Sequence, residues 1–493
     1  MARSSRLSDE RNGDFMANQA EQHRVVIIGG GFAGLFAARA LRRAPVSVTV
    51  IDRGPNHLFQ PLLYQCATGI LSEGKIAFPL RSLLRGHRNV EFVLAEVTGF
   101  DVPGHKVKAT LPTAEEVEFG YDELILAAGV QLSYFGHDEF AEFAPGMKTM
   151  SDALAIRRRL FGAFELAESA TDPAERSKWL SFALVGAGPT GVELAGQIRE
   201  VATKTLSREY RHIDPDDARV LLFDGGDAPL ASFGPQLSRR ASEALTSLGV
   251  EQHMDSLVTH VDRDCVEVRT KDGTQTRYDV GTVLWTAGVA APPVAGALAE
   301  AAGAERDQAG RIKVGRDLTI PGHPEISVIG DVMSLGALPG VAEVAMQAGH
   351  YTGKRIRNRL AGQDRGKPFH YYDLGSAAYI SRGNAVVSAG PIHMSGMAGW
   401  ISWLVIHIGF LTGLRNRLGA VLSWWPAFVS DLRRERAYSG HAIDTGHTVY
   451  ERSRLAAAAS APQPREAPQQ EDSQAGGKHA HPAGKRSGPG KPR

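Results

Sequence analysis

Cysteine is nearly absent: Cys66 and Cys265 are the two in 493 residues. That count excludes a disulfide framework, a CxxC redox pair and a four-cysteine zinc site, and no metal is expected. A reducing, cytoplasmic setting is the simplest reading. Net charge is equally scarce. Lysine and arginine number 55 against 54 acids, so the net charge is +1 and no long-range field recommends nucleic acid as a partner. The start lacks the apolar stretch of a secretory signal, since Met1 to Gln22 is polar and charged, and it reads as a disordered leader. From about Arg454 to Arg493 the chain lacks the apolar mass to offset ordering entropy and reads as a disordered tail.

What is present begins with glycine. "RVVIIGGGFAGLFAARALRR" has an apolar run of strand length, a glycine turn and apolar positions at helical spacing. Gly29, Gly31 and Gly34 fit GxGxxG: one glycine for the turn, one for approach of a pyrophosphate, one for close helix packing. The next strand, "VSVTVID", ends at Asp52, 23 residues after Gly29, where a carboxylate can accept from ribose hydroxyls. The pattern recurs at "FALVGAGPTGVELAGQI" with Gly186, Gly188 and Gly191, followed by a strand ending at Asp224. The longer second gap holds "TKTLSREYRHIDPDDA", which predicts an extended helix and a loop. Asp224 favours the free 2′-hydroxyl of NAD over the 2′-phosphate of NADP.

Two further apolar strands, "YDELILAAGV" and "YDVGTVLWTAGV", each close on Ala-Gly. Asp331 in "EISVIGDVM" follows another. It is read either as a group for flavin ribityl hydroxyls or as a helix N-cap.

The ensemble resembles the flavoproteins with two dinucleotide-binding domains. "NHLFQPLLYQCATGILSEGKIAFPLRSLL", "GPTGVELAGQI", "LWTAGV", "IGDV" and "VAEVAMQAGHYTG" are similar to type II NADH:quinone oxidoreductases, the non-proton-pumping NADH dehydrogenases, over about Arg24 to Tyr438. The resemblance implies an α/β fold of two Rossmann-like domains, FAD in the first and NADH in the inserted second, plus a C-terminal membrane-associating region. The implied boundaries are 1–22 leader, 23–150 and 291–366 FAD-binding, 151–290 NADH-binding, 367–440 C-terminal domain and 441–493 tail. NADH passes a hydride to flavin N5 and the reduced flavin reduces a quinone. Residue by residue, Gly29, Gly31, Ala33 and Gly34 are implied at the FAD pyrophosphate, and Asp52 and Arg53 at its adenosine end. Phe59 and Gln60 are implied near the isoalloxazine, with Val97, Gly129, Gly288, Asp331, Val344 and Ala345 completing the cofactor-binding set.

Glu193 is implied near the nicotinamide–flavin stack; read alone, it is a first-turn helix glutamate favoured by the macrodipole. Gln347 matches a family glutamine at the flavin pyrimidine and quinone, and Glu343 stands where many members carry glutamine. Cys66 leaves a single-cysteine NADH oxidase or peroxidase open, and a redox-sensing flavoprotein module is a further alternative.

Near the end, "GWISWLVIHIGFLTGLRNRLGAVLSWWPAFV" holds four of the six tryptophans. Trp400 to Leu414 is 15 residues free of Asp, Glu, Lys and Arg, short of the roughly 20 that span a bilayer. The segment is expected either in a core or homodimer interface, or in the membrane interface over residues about 399–436. For the latter, Trp400, Trp403, Trp424 and Trp425 suit the headgroup level, and Arg415, Arg417, Arg433, Arg434 and Arg436 suit lipid phosphates. The expectation is a peripheral protein on the cytoplasmic face of the cell membrane. Truncation after about Gly396 should then leave a soluble, NADH-reducible enzyme.

Overall fold

The computed structural model describes residues 22–411 and 413–438. The expected leader, to residue 21, and the expected tail lie outside the described residues. The first glycine loop joins the strand His23–Ile28 to helix α1 (Phe32–Leu41). That strand lies within a six-stranded sheet ordered Thr319–Ile320, His323–Val328, Glu123–Leu126, His23–Ile28, Val46–Asp52, Val90–Leu94. Neighbours are parallel except at the Thr319–Ile320 edge. Parallel strands are covered on both faces, which is why Val25 to Ile28 is an unbroken apolar run, buried throughout.

Helix α2 (Met150–Ser169) starts at a Thr149/Asp152 capping box, in which each side chain bonds the other's backbone N–H. It leads to a second, four-stranded parallel sheet ordered Val250–His253, Arg219–Phe223, Ser181–Val185, Thr282–Trp285. Helix α3 (Pro189–Glu200) follows the second glycine loop. It continues as a π-helical turn over Val201–Thr205, and a loop with a 3-10 turn at Pro215–Asp217 takes up the rest of the surplus sequence. The chain then returns to the first sheet through His323–Val328. Helix α4 (Ala342–Leu360) lies so close to α1 that a Cβ on Gly349 would fall 2.1 Å from the Ala33 carbonyl.

The C-terminal part opens with an antiparallel meander of Ser376–Ser381, Asn384–Ala389 and Ile392–Met394. The meander presses on α3, where a Cβ on Gly196 would lie 1.8 Å from the Ile380 carbonyl. Two helices follow, α5 (Gly396–Phe410) and α6 (Leu414–Val429). Their inner faces meet through Trp403 and Trp424, ring centroids 5.7 Å apart, in one core with Tyr64 and Tyr379. Their outer faces are bare. Met397, Ile401 and Val405 on α5, with Leu418, Leu422, Trp425 and Val429 on α6, are 52% to 74% exposed. Spacing of three and four aligns each set along one side of its helix. Among the described residues no helix is long and apolar enough to cross a membrane.

Candidate active site

The two glycine loops have the same geometry. Gly29 and Gly186 adopt φ of +105° and +107°, which glycine alone tolerates readily. A Cβ on Gly34 or on Gly191 would lie 1.8 Å from the carbonyl of Gly29 or Gly186 respectively. A Cβ on Gly31 or Gly188 would meet nothing within 4 Å. Thus the first glycine turns the chain, the third lets the helix close on the strand, and the second borders open space for a pyrophosphate. Neither α1 nor α3 has a side-chain cap, so their first N–H groups are free to meet phosphate oxygens. The residues present therefore fit two dinucleotides.

The strand-end acids first hold these loops in shape. Asp52 accepts from the N–H groups of Gly30 (2.6 Å) and Gly54 (2.7 Å), and Asp224 from those of Ala187 (2.6 Å) and Gly226 (2.7 Å). Each carboxylate oxygen keeps a lone pair for a ribose hydroxyl. Burial pushes the Asp52 carboxyl up, and the two N–H bonds oppose that rise.

The other first-site residues are placed unevenly. Gly129 follows a central strand of the first sheet and Gly288 the Thr282–Trp285 edge strand of the second, both with positive φ. Arg53 is exposed, and Phe59 is buried edge-on against Phe32 at 5.8 Å. Gln60 donates to the Lys148 carbonyl at 3.1 Å, and Val97 is half-buried in the strand Glu96–Asp101. Asp331 is not a helix N-cap: its short turn has no side-chain cap and α4 begins only at Ala342. A Cβ on the adjacent Gly330 would touch Ala33 (3.1 Å) and Ala345 (3.5 Å), so Asp331 stands where α1 and α4 converge. Val344 and Ala345 are buried in the first turn of α4. Burial pushes the Asp331 carboxyl up, countered first by the Lys148 ammonium, which burial in turn pushes down. Sequence reasoning missed Lys148, a single lysine in a loop with no pattern around it.

Glu193 is not a first-turn glutamate. It lies beyond the first turn of α3, 7% exposed, with the Tyr379 N–H 3.4 Å from its Oε1. Burial holds its carboxyl well above the usual carboxylate range, so the neutral acid is favoured. Gln347 grips the backbone of Tyr372 with both ends of its amide, donating to the carbonyl (2.8 Å) and accepting from the N–H (3.0 Å). Glu343 accepts from the Tyr371 hydroxyl at 3.5 Å, and its carboxyl is raised by burial and then by the charge of Asp373. Tyr371 is a second group that sequence reasoning missed.

A buried polar cluster joins this region to the C-terminal helices. Glu200 accepts from Gln197 Nε2 (2.6 Å), the Tyr379 hydroxyl (3.0 Å) and the Arg382 N–H (2.7 Å). Arg433 approaches it to 3.7 Å and donates to the Thr68 carbonyl at 2.9 Å. Trp424 Nε1 donates to Gln65 Oε1 at 2.7 Å. The lipid-facing expectation is corrected accordingly. Trp403 and Trp424 are buried in the protein, and Trp400 packs on Phe428. Arg433 answers a buried carboxylate, Arg436 pairs with Glu209 at 2.7 Å, and Arg417 caps the Leu411 and Gly409 carbonyls. Trp425, Arg415 and Arg434 are the exposed members of the set.

Cys66 is fully buried; its sulfur accepts from Arg157 at 3.2 Å and burial pushes the thiol up to about 11. Such a thiol is a poor nucleophile at neutral pH, which removes the basis of the single-cysteine reading. Ligand atoms of His260, Asp262 and Cys265 lie within 4.8 Å of one another. Asp262 there accepts from the N–H groups of Asp264 (2.8 Å) and Cys265 (2.7 Å), the bonds of a tight turn.

Residues 23–349 match the family model described as "Pyridine nucleotide-disulphide oxidoreductase". The chain is 46% identical over 441 residues to the type II NADH:quinone oxidoreductase Ndh of Mycobacterium tuberculosis, covering 89% of this chain and 94% of that one. It is 47% identical over 426 residues to NdhA of the same organism, covering 86% and 90%. The structure of NDH2 from Plasmodium falciparum in complex with NADH superposes with a TM-score of 0.78 at 19% identity, covering 85% of this chain and 100% of that one, and shares the fold. With paired nucleotide cradles in one chain and relatives at this identity and coverage, the chain belongs to the pyridine nucleotide-disulphide oxidoreductases and, within them, to the type II NADH:quinone oxidoreductases.

Proposed function

We propose that the chain oxidises NADH at the second cradle and reduces a membrane quinone by way of FAD held in the first, without moving protons across the membrane. The observation that carries this reading is the pair of glycine loops with matching open space at Gly31 and Gly188. FAD, when bound, accepts the hydride and supplies two electrons to the quinone. The chain's own residues bind, orient and protonate. Gly31 and Gly188 admit the pyrophosphates, and Asp52 and Asp224 meet the ribose hydroxyls, Asp224 disfavouring a 2′-phosphate. Asp331 with Lys148 borders the junction of α1 and α4. Glu193, buried and favoured in its neutral form, holds a proton at its carboxyl. Gln347 positions the Tyr372 segment over α4, and Glu343 carries a raised carboxyl beside Tyr371.

The division proposed is an FAD unit in two pieces, 23–150 and 291–366, around an NADH unit at 151–290, then a C-terminal unit at 367–440. The bare side of α5 and α6 lies in the headgroup region of the cytoplasmic leaflet. The contiguous exposed apolar stripes support that placement. Anaerobic NADH should reduce the flavin of the full chain, and a short-chain quinone should re-oxidise it; flavin that stays reduced with every quinone sinks the quinone half. Val405 and Leu422 are 65% and 74% exposed. Full burial of such a side chain is worth about 1.5–3 kcal/mol, so Val405→Ser with Leu422→Ser should weaken vesicle partition roughly 30-fold or more. Unchanged partition of the folded double variant refutes the membrane placement.

A further inference from the structure

A cavity of about 310 Å³ opens between α1 and the turn that joins α5 to α6. Its wall includes Phe32, Phe36 and Arg39 of α1, Met346 of α4, and Phe410 and Arg417 at the hairpin end. Aromatic and thioether groups thus make an apolar lining, and two guanidiniums break it. Arg39 is half-buried and lies over the Phe36 ring, 5.3 Å from its centroid. Among the described residues it makes no ion pair and no side-chain hydrogen bond. Arg417 donates Nε and one terminal nitrogen to the Leu411 and Gly409 carbonyls at the end of α5, which leaves further N–H groups of its five.

The surroundings are basic without a balancing acid in the lining. Arg42 and Arg43 are exposed just beyond the end of α1. The His87 imidazole is pushed down by burial and then by the charges of Arg42 and Arg39, which sets three basic groups close together. A half-buried cation that has an aromatic ring but no anionic partner is costly, and an anion in the cavity relieves that cost. The ligand must also tolerate aromatic walls and reach the C-terminal end of α5, where Phe410 is 39% exposed. An anion joined to a hydrocarbon chain meets both demands. A neutral quinone ring would leave the charge of Arg39 uncompensated.

We propose that this cavity binds the phosphate headgroup of an anionic phospholipid between Arg39 and Arg417, with an acyl chain passing over Phe410 onto the bare side of the hairpin. The proposal rests on the membrane placement above and adds a headgroup preference to it. Such a site fixes the hairpin's orientation on the bilayer beside the first nucleotide loop, since Phe32 directly follows Gly31.

The test uses the full FAD-loaded chain with two kinds of vesicle, phosphatidylcholine alone and phosphatidylcholine with about one-fifth phosphatidylglycerol. Native mass spectrometry of detergent-solubilised protein supplies a second readout. Binding to both vesicles with preference for the anionic one is expected, together with one retained phosphatidylglycerol per chain. Arg39→Gln should cut the anionic preference about five-fold and abolish retention, as expected for one basic group near the surface. Arg39→Lys should restore most of the preference, and Arg43→Gln, the same loss of charge outside the cavity, should change it less than two-fold. Among the described residues the Arg39 side chain makes no hydrogen bond, so the fold does not depend on one there, and an unchanged melting temperature checks this.

Equal losses in Arg39→Gln and Arg43→Gln reduce the effect to a diffuse basic surface and overturn the site. Inorganic phosphate that displaces the retained lipid at equal concentration makes it a free-phosphate site and overturns the lipid assignment. A raised quinone KM in Arg39→Gln with lipid retention intact makes the cavity a quinone passage and overturns it as well. Binding to both vesicles without preference overturns this proposal and leaves the membrane placement standing; binding to neither removes both.

Discussion

Arg433→Met removes the buried one of the two cations near Glu200, the other being the half-buried Lys204 at 3.6 Å. The Arg433 and Glu200 side chains are each 5% exposed and 3.7 Å apart, so no water shell takes the lost partner's place. Breaking a buried pair from one side costs about 3–5 kcal/mol. Glu200 retains the Lys204 ammonium at 3.6 Å and Gln197, Tyr379 and the Arg382 N–H as donors, which places the loss at the lower end, about 3 kcal/mol. The Thr68 carbonyl also loses its donor, adding about 1 kcal/mol. A multi-domain cofactor protein has no single unfolding free energy, so the comparison is made within one set of variants. Thermal unfolding of FAD-loaded wild type, Arg433→Met, Glu200→Gln and the double variant should be followed by tryptophan fluorescence. Arg433→Met should lower the melting temperature by several degrees, and adding Glu200→Gln should recover at least half of the loss, because both buried charges are then gone. Partition onto anionic vesicles should change less than two-fold. An unchanged melting temperature with a five-fold weaker partition would place Arg433 at the lipid surface and refute the reasoning.

The remaining expectations concern the site itself. Gly31→Ala should fold and melt as the apoprotein does but lose FAD affinity by tenfold or more in a flavin-fluorescence titration, whereas Gly34→Ala should not fold, since its Cβ would lie 1.8 Å from the Gly29 carbonyl. Glu193 holds its proton in the folded chain to higher pH than in the unfolded one, so wild-type stability falls as pH rises from the ordinary carboxylate value towards the raised one. Glu193→Gln should flatten that fall, match wild type in mild acid and exceed it in stability at higher pH; parallel curves would contradict a buried neutral acid. Cys66→Ser should leave quinone reduction within two-fold of wild type, and the native thiol should resist alkylation at pH 8, three units below its value of about 11.

The nucleotide loops were legible because their constraints are local. A turn, a phosphate approach and a close helix contact are encoded within six residues, and Gly29 to Gly34 carries all three. The C-terminal hairpin was legible only as two apolar segments. Its helices have an inner and an outer apolar side, and no pattern of letters distinguishes Trp424, which bonds Gln65, from the exposed Trp425 beside it. Arg433 was misassigned for a related reason: its partners, Glu200 and the Thr68 carbonyl, stand hundreds of positions earlier in the chain. Glu193 reads from the sequence alone as a first-turn helix glutamate, and its burial depends on the meander carrying Tyr379, 186 positions later. These contacts also revise the truncation expectation. Removing everything after about Gly396 takes away Trp403, Trp424 and Arg433, uncovers Gln65 and Glu200, and should yield an unstable chain instead of a soluble enzyme.

The central claim is that one chain carries electrons from NADH to a quinone dissolved in lipid. The full FAD-loaded chain should be mixed with NADH, without oxygen, on vesicles that contain a long-chain quinone and on vesicles that do not. The account predicts turnover on the order of 10 per second or more with quinone, matched one-to-one by quinol formed, and a single reduction of the flavin without it. NADH oxidation that proceeds equally without quinone, or quinone that stays oxidised while the flavin is reduced, would contradict it.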